Sequence, residues 1–227
     1  VLAADTGRVA FHEGLIRILD ETGRTIPARD FIGAVETNET GRRIDCAALG
    51  IGLRTLHDHP ALRLSVNMSA RSIGYAPWLR TLDEGLAHDP TAGERLILEI
   101  TESSAMLMPD IVTAFMARLQ TRGISFALDD FGAGYTAFRY LKEFYFDIVK
   151  IDGQFIRGIA GNPDNQVLTQ ALAMIGRHFD MFTVAESVET AAEADWLAAI
   201  GIDCLQGHLF GAPSIRPAWM TELRRSA

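Results

Sequence analysis

The feature that most restricts this chain is a recurrence. Seven short apolar runs each hand over to a polar, mostly anionic residue. Val9-Ala10-Phe11 runs through His12 into Glu13, Leu62-Arg63-Leu64-Ser65-Val66 into Asn67, and Leu96-Ile97-Leu98 into Glu99. Ser125-Phe126-Ala127-Leu128 stops at Asp129 and Asp130, and Ile148-Val149 at Lys150. Phe182-Thr183-Val184-Ala185 meets Glu186, and Ile202-Asp203-Cys204-Leu205 meets Gln206. Ionised aspartates at the end of a buried strand are unfavourable unless they reach water, a cation or hydrogen-bond donors. A turn cap or a lone salt bridge explains one such ending; a series requires a shared site.

Helix-like segments separate the runs. Pro109-Asp110 opens one, with Val112, Phe115, Met116 and Leu119 on one face and Gly123 past its end. Pro163-Asp164 opens another, in which Val167, Leu168, Ala171, Leu172 and Ile175 are expected inward and Met174 in the core. Thr190 and Glu193 form a capping box before Trp196, Leu197 and Ile200, and Gly201 ends that segment. Alternating strands and helices imply a parallel sheet with helices outside. An open doubly wound sheet would focus its site at one switch point. Here nearly every strand delivers a polar residue, and only closure brings them together. The expected fold is therefore α/β, a modified TIM (βα)8 barrel in a single domain.

The chain's 227 residues suit one such barrel, and a hydrophobic content of 48% with 22% charged residues supplies a core and argues against disorder. A net charge of −8 excludes a nucleic-acid polymer as partner, while a small phosphorylated ligand remains compatible if a cation mediates. Cys46 and Cys204 offer neither a disulfide framework nor zinc spacing and read as buried thiols. No run approaches the length of a membrane span, and no signal peptide opens the chain. The expected setting is cytoplasmic, with an inner-membrane tether through further domains as the alternative. The abrupt start at Val1 suggests a piece of a longer protein.

Glu13, Glu99, Asp129, Asp130, Glu186 and Glu189 would converge on one mouth. Two like charges about 4 Å apart repel by about 4 kcal/mol at an effective dielectric near 20, so such a site calls for protons or cations. Carboxylates with the amide of Asn67 suit Mg²⁺ or Mn²⁺ better than zinc. Asp129 beside Asp130 is placed to bridge two ions, as in two-metal phosphodiester hydrolysis. Lys150 reads either as a counter-ion for the carboxylates or as the group that orients or deprotonates the attacking water. Arg17, expected about one helical turn beyond Glu13, is a candidate phosphate clamp or a surface residue. His57-Asp58-His59-Pro60 has the look of a metal clip, but it ends a helix and runs into proline, so turn chemistry is the reading.

At these residues the sequence resembles the EAL domain, the bacterial phosphodiesterase module for cyclic di-GMP. The resemblance runs from Asp5-Thr6-Gly7 to Leu209-Phe210-Gly211-Ala212-Pro213. It rests on His12-Glu13-Gly14-Leu15-Ile16-Arg17, Leu64-Ser65-Val66-Asn67-Met68-Ser69-Ala70-Arg71, Leu98-Glu99-Ile100-Thr101-Glu102-Ser103, Asp129-Asp130-Phe131-Gly132-Ala133-Gly134-Tyr135, Val149-Lys150-Ile151-Asp152, Ala185-Glu186-Ser187-Val188-Glu189-Thr190 and Gln206-Gly207. It implies a domain over residues 1–227 that hydrolyses cyclic di-GMP to linear pGpG with Mg²⁺ or Mn²⁺, as a homodimer fused to regulatory domains.

By motif position, Glu13, Asn67, Glu99 and Asp129 look like ligands of one ion. Asp129, Asp130 and Glu186 look like ligands of a second. Lys150, Glu189 and Gln206 match positions that handle the attacking water, and Arg17 a contact to substrate phosphate. Asp152 matches a position at the edge of the substrate site. Glu102 matches the residue that holds the Asp130–Tyr135 loop. Gly14 stands where the family has alanine, which loosens the local backbone and is expected to lower metal affinity. Ser187 replaces a glycine and His208 an aromatic. A catalytically silent cyclic di-GMP receptor is the alternative, but such members typically lack several ligands that this chain keeps. An enolase-type lyase would need a capping domain for which there is no room.

Overall fold

The computed structural model describes residues 1–134, 141–217 and 219–222. Its centre is an eight-stranded sheet made of β1 (Leu2–Ala3), β2 (His12–Gly14), β5 (Leu64–Asn67), β6 (Leu96–Thr101), β7 (Ser125–Phe131), β8 (Ile148–Ile151), β9 (Phe182–Ala185) and β10 (Cys204–Leu205). The strands lie in the order β1-β10-β9-β8-β7-β6-β5-β2. Every pairing is parallel except β1 against β10. On its other side β1 bridges Val9 through Leu2, and Ala10 N–H donates to the Val1 carbonyl at 2.9 Å. Val9 leads straight into β2, so the pairing returns on itself as a modified TIM barrel.

Side-chain alternation along each strand builds the interior in two tiers. Phe11, Ile97, Ala127, Ile148, Val184 and Cys204 pack together as an apolar plug. Two residues further along each of the same segments stand Glu13, Glu99, Asp129, Lys150, Glu186 and Gln206. The opposite faces, including Leu98, Ile100, Leu128, Val149 and Ile151, join the larger core beneath the helices. Glu99 and the Asp129-Asp130 pair therefore lie within their strands, not at strand ends as expected. β6 continues to Thr101 and β7 to Phe131, with a register shift between Leu128 and Phe131.

The helix Pro109–Gln120 buries Val112, Phe115, Met116 and Leu119 as expected. The capping box of Thr190 and Glu193 forms at the start of the helix Ala191–Ala199. The helix Pro163–His178 corrects the sequence reading. It buries Thr169, Leu172, Ala173 and Gly176, while Val167, Leu168, Ala171 and Met174 are exposed. Gly176 explains the rotation. A Cβ there would lie 2.8 Å from Thr183 Cγ2 and 3.0 Å from Val149 Cγ1, so the helix backbone seats directly on β8 and β9. A second small sheet, β3 (Arg17–Leu19) with antiparallel β4 (Thr25–Pro27), also escaped the sequence reading. Among the described residues no helix is long and apolar enough to cross a membrane.

Candidate active site and metal centre

The upper tier is organised by one buried cation. Lys150 Nζ lies 2.7 Å from Glu186 Oε1, 3.0 Å from Glu99 Oε2, 3.1 Å from Asp129 Oδ1 and 3.5 Å from Glu13 Oε2. The lysine is 0% exposed, so among the described residues its charge is stabilised by these oxygens. Burial would lower its pKa, but Glu99, Glu13, Glu186 and Asp129 hold it well above the usual lysine range. In this arrangement Lys150 is held as an ammonium among the four carboxylates.

The carboxylates divide according to their donors. Burial would raise Glu13, yet Lys150 and the amides of Gln206 and Asn67 keep it below the usual range. Gln206 Nε2 donates to Glu13 Oε2 at 2.5 Å, and Asn67 Nδ2 donates to Glu13 Oε1 at 3.1 Å. Burial pushes Glu99 up to about 8 against the pull of Lys150, with the charges of Glu13 and Asp129 adding to the rise. Glu186 rises to about 7, chiefly from burial and despite Lys150. Asp130 rises to about 6 through burial, then through the charges of Asp129 and Asp152.

The donor set fits hard dications. Asp129, Asp130 and Glu186 each present a carboxylate oxygen within 4.8 Å of the others. Glu99 Oε1 and Asp129 Oδ1 are buried without a hydrogen bond, although the latter keeps its charge contact with Lys150. Orphaned oxygens of this kind are paired by an ion in a hard-oxygen site. Beside them lies a cavity of about 460 Å³ lined by Glu13, Asn67, Asp129 and Asp130. Its far wall includes Ile32, Ile44 and Asp45. A larger cavity of about 650 Å³ lies under the apolar plug, against Phe11, Ile97 and Cys204, away from the carboxylates.

The remaining expected site residues fall on two sides. Glu102 is buried, and its Oε2 accepts from Gly132 N–H at 2.9 Å, which anchors the turn following Asp130. Asp130 itself has φ 56°, a left-handed conformation that aspartate tolerates better than most residues. Tyr135, the far end of that loop, lies outside the described residues. Asp152 caps the helix Gly153–Ile156, its Oδ1 accepting from Gln154 N–H at 2.7 Å, and its charge adds to the rise of the Asp130 carboxyl.

Two residues stand apart from the cluster. Arg17 is in β3, so the chain beyond Glu13 is extended and not helical as expected. Its guanidinium donates to the Leu15 and Ile16 carbonyls, each at 3.0 Å, and touches no carboxylate of the cluster. Glu189 is exposed, with Oε1 3.8 Å from Arg157 Nε. Asp45 was missed by the sequence reading. It is buried on the cavity wall, accepts from Ser69 N–H and Ser72 Oγ, and burial pushes it up to about 6. Its signal was an aspartate facing inward in an otherwise apolar helix stripe.

Two departures from the resemblance acquire a structural setting. Ser187 has φ 57°, so serine adopts the left-handed conformation that glycine takes without strain. Gly14 pairs with Val66 in the ladder, so its backbone is held despite the missing side chain. Gly207 is required more strictly. A Cβ there would lie 2.1 Å from the Val188 carbonyl oxygen, across the segment joining Glu186 to Gln206. Gly207→Ala is expected to lower stability by about 2–3 kcal/mol or more. Urea unfolding checks this; an unchanged midpoint would remove the proposed close approach.

A family model described as the EAL domain matches residues 1–213. The chain belongs to the EAL domain family. Among curated relatives of this EAL domain, the bifunctional diguanylate cyclase/cyclic di-GMP phosphodiesterase MucR of Pseudomonas aeruginosa is 34% identical over 68% of this chain and 23% of that protein. The cyclic di-GMP phosphodiesterase NbdA of the same organism is 31% identical over 94% of this chain and 28% of that protein. The chain thus spans about a quarter of the length of these relatives. A solved structure described as the PaMucR phosphodiesterase in complex with c-di-GMP matches with a TM-score of 0.82 at 29% identity, covering 97% of this chain and 90% of that chain. The Pseudomonas aeruginosa FimX EAL domain bound to c-di-GMP gives a TM-score of 0.85 at 23% identity, over 94% of this chain and 87% of that chain, and speaks for the fold alone.

Proposed function

We propose that this EAL domain hydrolyses cyclic di-GMP to linear pGpG with two divalent cations, Mg²⁺ or Mn²⁺. The observation that carries the reading is the tier of oxygen donors around Lys150, in which Glu13, Asn67, Glu99, Asp129, Asp130 and Glu186 are the candidate ligands. When bound, the cations supply neutralisation of phosphate charge and activation of the attacking water. Hydrolysis adds one water across one P–O bond of the cyclic diester, leaving a 5′-phosphate and a 3′-hydroxyl.

The residues of this chain divide that work. Lys150 holds four carboxylates within one hydrogen-bonding radius and so preorganises the donors before any ligand arrives. Gln206 steadies Glu13 through Nε2 and keeps a buried, unpartnered Oε1 able to accept an O–H from the attacking water. Glu102 fixes the turn that sets the Asp130 carboxylate. The cavity above Glu13 and Asn67 is the place for the dinucleotide. Substrate contact through Arg17 would need its guanidinium to leave the Leu15 and Ile16 carbonyls. A homodimer within a longer signalling protein, acting in the cytoplasm, is part of the same proposal.

Incubation with cyclic di-GMP and Mn²⁺ is expected to yield pGpG, and a chelator to abolish it. Tight binding of cyclic di-GMP with no product at saturating Mn²⁺ would replace hydrolysis by the receptor reading.

A further inference from the structure

The histidine pair flagged in the sequence comes apart in the fold. His59 packs its ring edge-on against Trp219, with centroids 4.7 Å apart. His57, near the end of the helix Glu39–Asp58, instead meets His88, the last residue of the helix Ala76–His88. Their Nε2 atoms are 3.2 Å apart, with ring centroids at 4.2 Å and planes inclined by 52°. Both rings are exposed on the outer wall of the barrel, remote from the carboxylate tier.

We propose that His57 and His88 form a two-imidazole site for a borderline transition-metal cation of the Zn²⁺ or Ni²⁺ class, distinct from the hard-oxygen centre. Four observations converge on it. First, the spacing fits. Two nitrogens bound at the usual Zn–N distance and tetrahedral angle stand about 3.3 Å apart. Second, the contact lets only one proton lie between the two nitrogens, so at least one lone pair faces the other ring, and a cation can take that proton's place.

Third, the scaffold is rigid. A Cβ on Gly85 would lie 2.5 Å from Leu53 Cδ1, so the two helices are in close contact one turn before the histidines. Leu53, Leu82 and Leu86 are buried at that seam. Fourth, carboxylates share the cavity beside the pair, although among the described residues neither joins the two imidazoles in a three-residue group with ligand atoms within 4.8 Å of one another. A cavity of about 370 Å³ lined by both histidines is lined also by Asp58 and Glu84, the latter one helical turn before His88. Arg54 lines it too and opposes a cation, and the two carboxylates offset that charge. Imidazole donors select Zn²⁺, Ni²⁺ or Cu²⁺ over the Mg²⁺ and Mn²⁺ that suit the interior oxygens.

The inference is independent of whether the domain hydrolyses cyclic di-GMP. Its test is isothermal titration with Zn²⁺ in excess Mg²⁺, applied to the wild type, His57→Ala, His88→Gln and the double variant. One equivalent of Zn²⁺ is expected to disappear in the double variant, and each single variant is expected to bind it at least about tenfold more weakly. Zn²⁺ should also raise the melting temperature of the wild type by a few degrees more than that of the double variant, because the ion joins two helices only in the folded state. Mn²⁺-supported turnover should be unchanged in all four proteins. Equal Zn²⁺ stoichiometry and affinity in the wild type and the double variant would overturn the site, leaving a plain histidine–histidine hydrogen bond.

Discussion

Lys150→Met is expected to make the chelated domain at least about 3 kcal/mol less stable, because it strands a set of buried carboxylates without their shared cation. Saturating Mn²⁺ should restore much of the loss, since dications supply the missing positive charge. Urea unfolding with chelator and with Mn²⁺ measures both quantities. Wild-type stability of the chelated variant would show that protons, and not the lysine, balance the cluster.

The same cluster fixes the pH dependence of the metal-free wild type. Glu99 and Glu186 have folded-state values raised to about 8 and about 7, above their ordinary 4.5. A carboxyl raised by folding contributes stability that is fully present below its unfolded value and is lost as pH rises through the folded one. The chelated domain should therefore weaken from about pH 5 to about pH 8, between the ordinary and the raised values, and Mn²⁺ should flatten that slope. A stability that rises over this window would contradict the assignment.

Glu13→Gln is expected to leave the barrel folded and reduce turnover at least about 100-fold. The reasoning is stereochemical. Both oxygens of Glu13 accept from amide NH₂ groups, those of Gln206 and Asn67. A glutamine would present its own NH₂ to one of them, so one donor is left facing a donor at about 1–3 kcal/mol, and the charge opposite Lys150 is lost. Initial rates at saturating Mn²⁺, with circular dichroism to confirm folding, decide the matter. A wild-type rate would remove Glu13 from the site.

The barrel and its tier of polar groups were legible because both follow from spacing. Phe11/Glu13, Ile97/Glu99, Ala127/Asp129, Ile148/Lys150, Val184/Glu186 and Cys204/Gln206 repeat one offset of two, which strand geometry turns into a plug beneath a ring of donors. What escaped depends on partners distant in sequence. β1 has two residues, and only β10 and Val9 make it a strand. Of the apolar stripe of the helix Pro163–His178, Leu172 and Ile175 face the core while Val167, Leu168 and Ala171 are turned outward, because the backbone approach at Gly176 outweighs the side-chain pattern there. Arg17 and Glu189 lie near the right positions in the chain, yet their side chains are held by local carbonyls and by Arg157. Residue identity placed them, and these local partners hold their side chains apart from the cluster.

The hydrogen bond from Gln206 to Glu13 spans 193 positions, and Leu2 pairs with Leu205. Such extreme contact order means that loop-closure entropy is met before the reward arrives, which slows folding. During synthesis, a nascent chain that ends short of Cys204 would already carry every acidic ligand but leave an unsealed edge and a Glu13 lacking one of its two amide donors. Competence for chemistry would then switch on late, when the final strand leaves the ribosome and zips against the first.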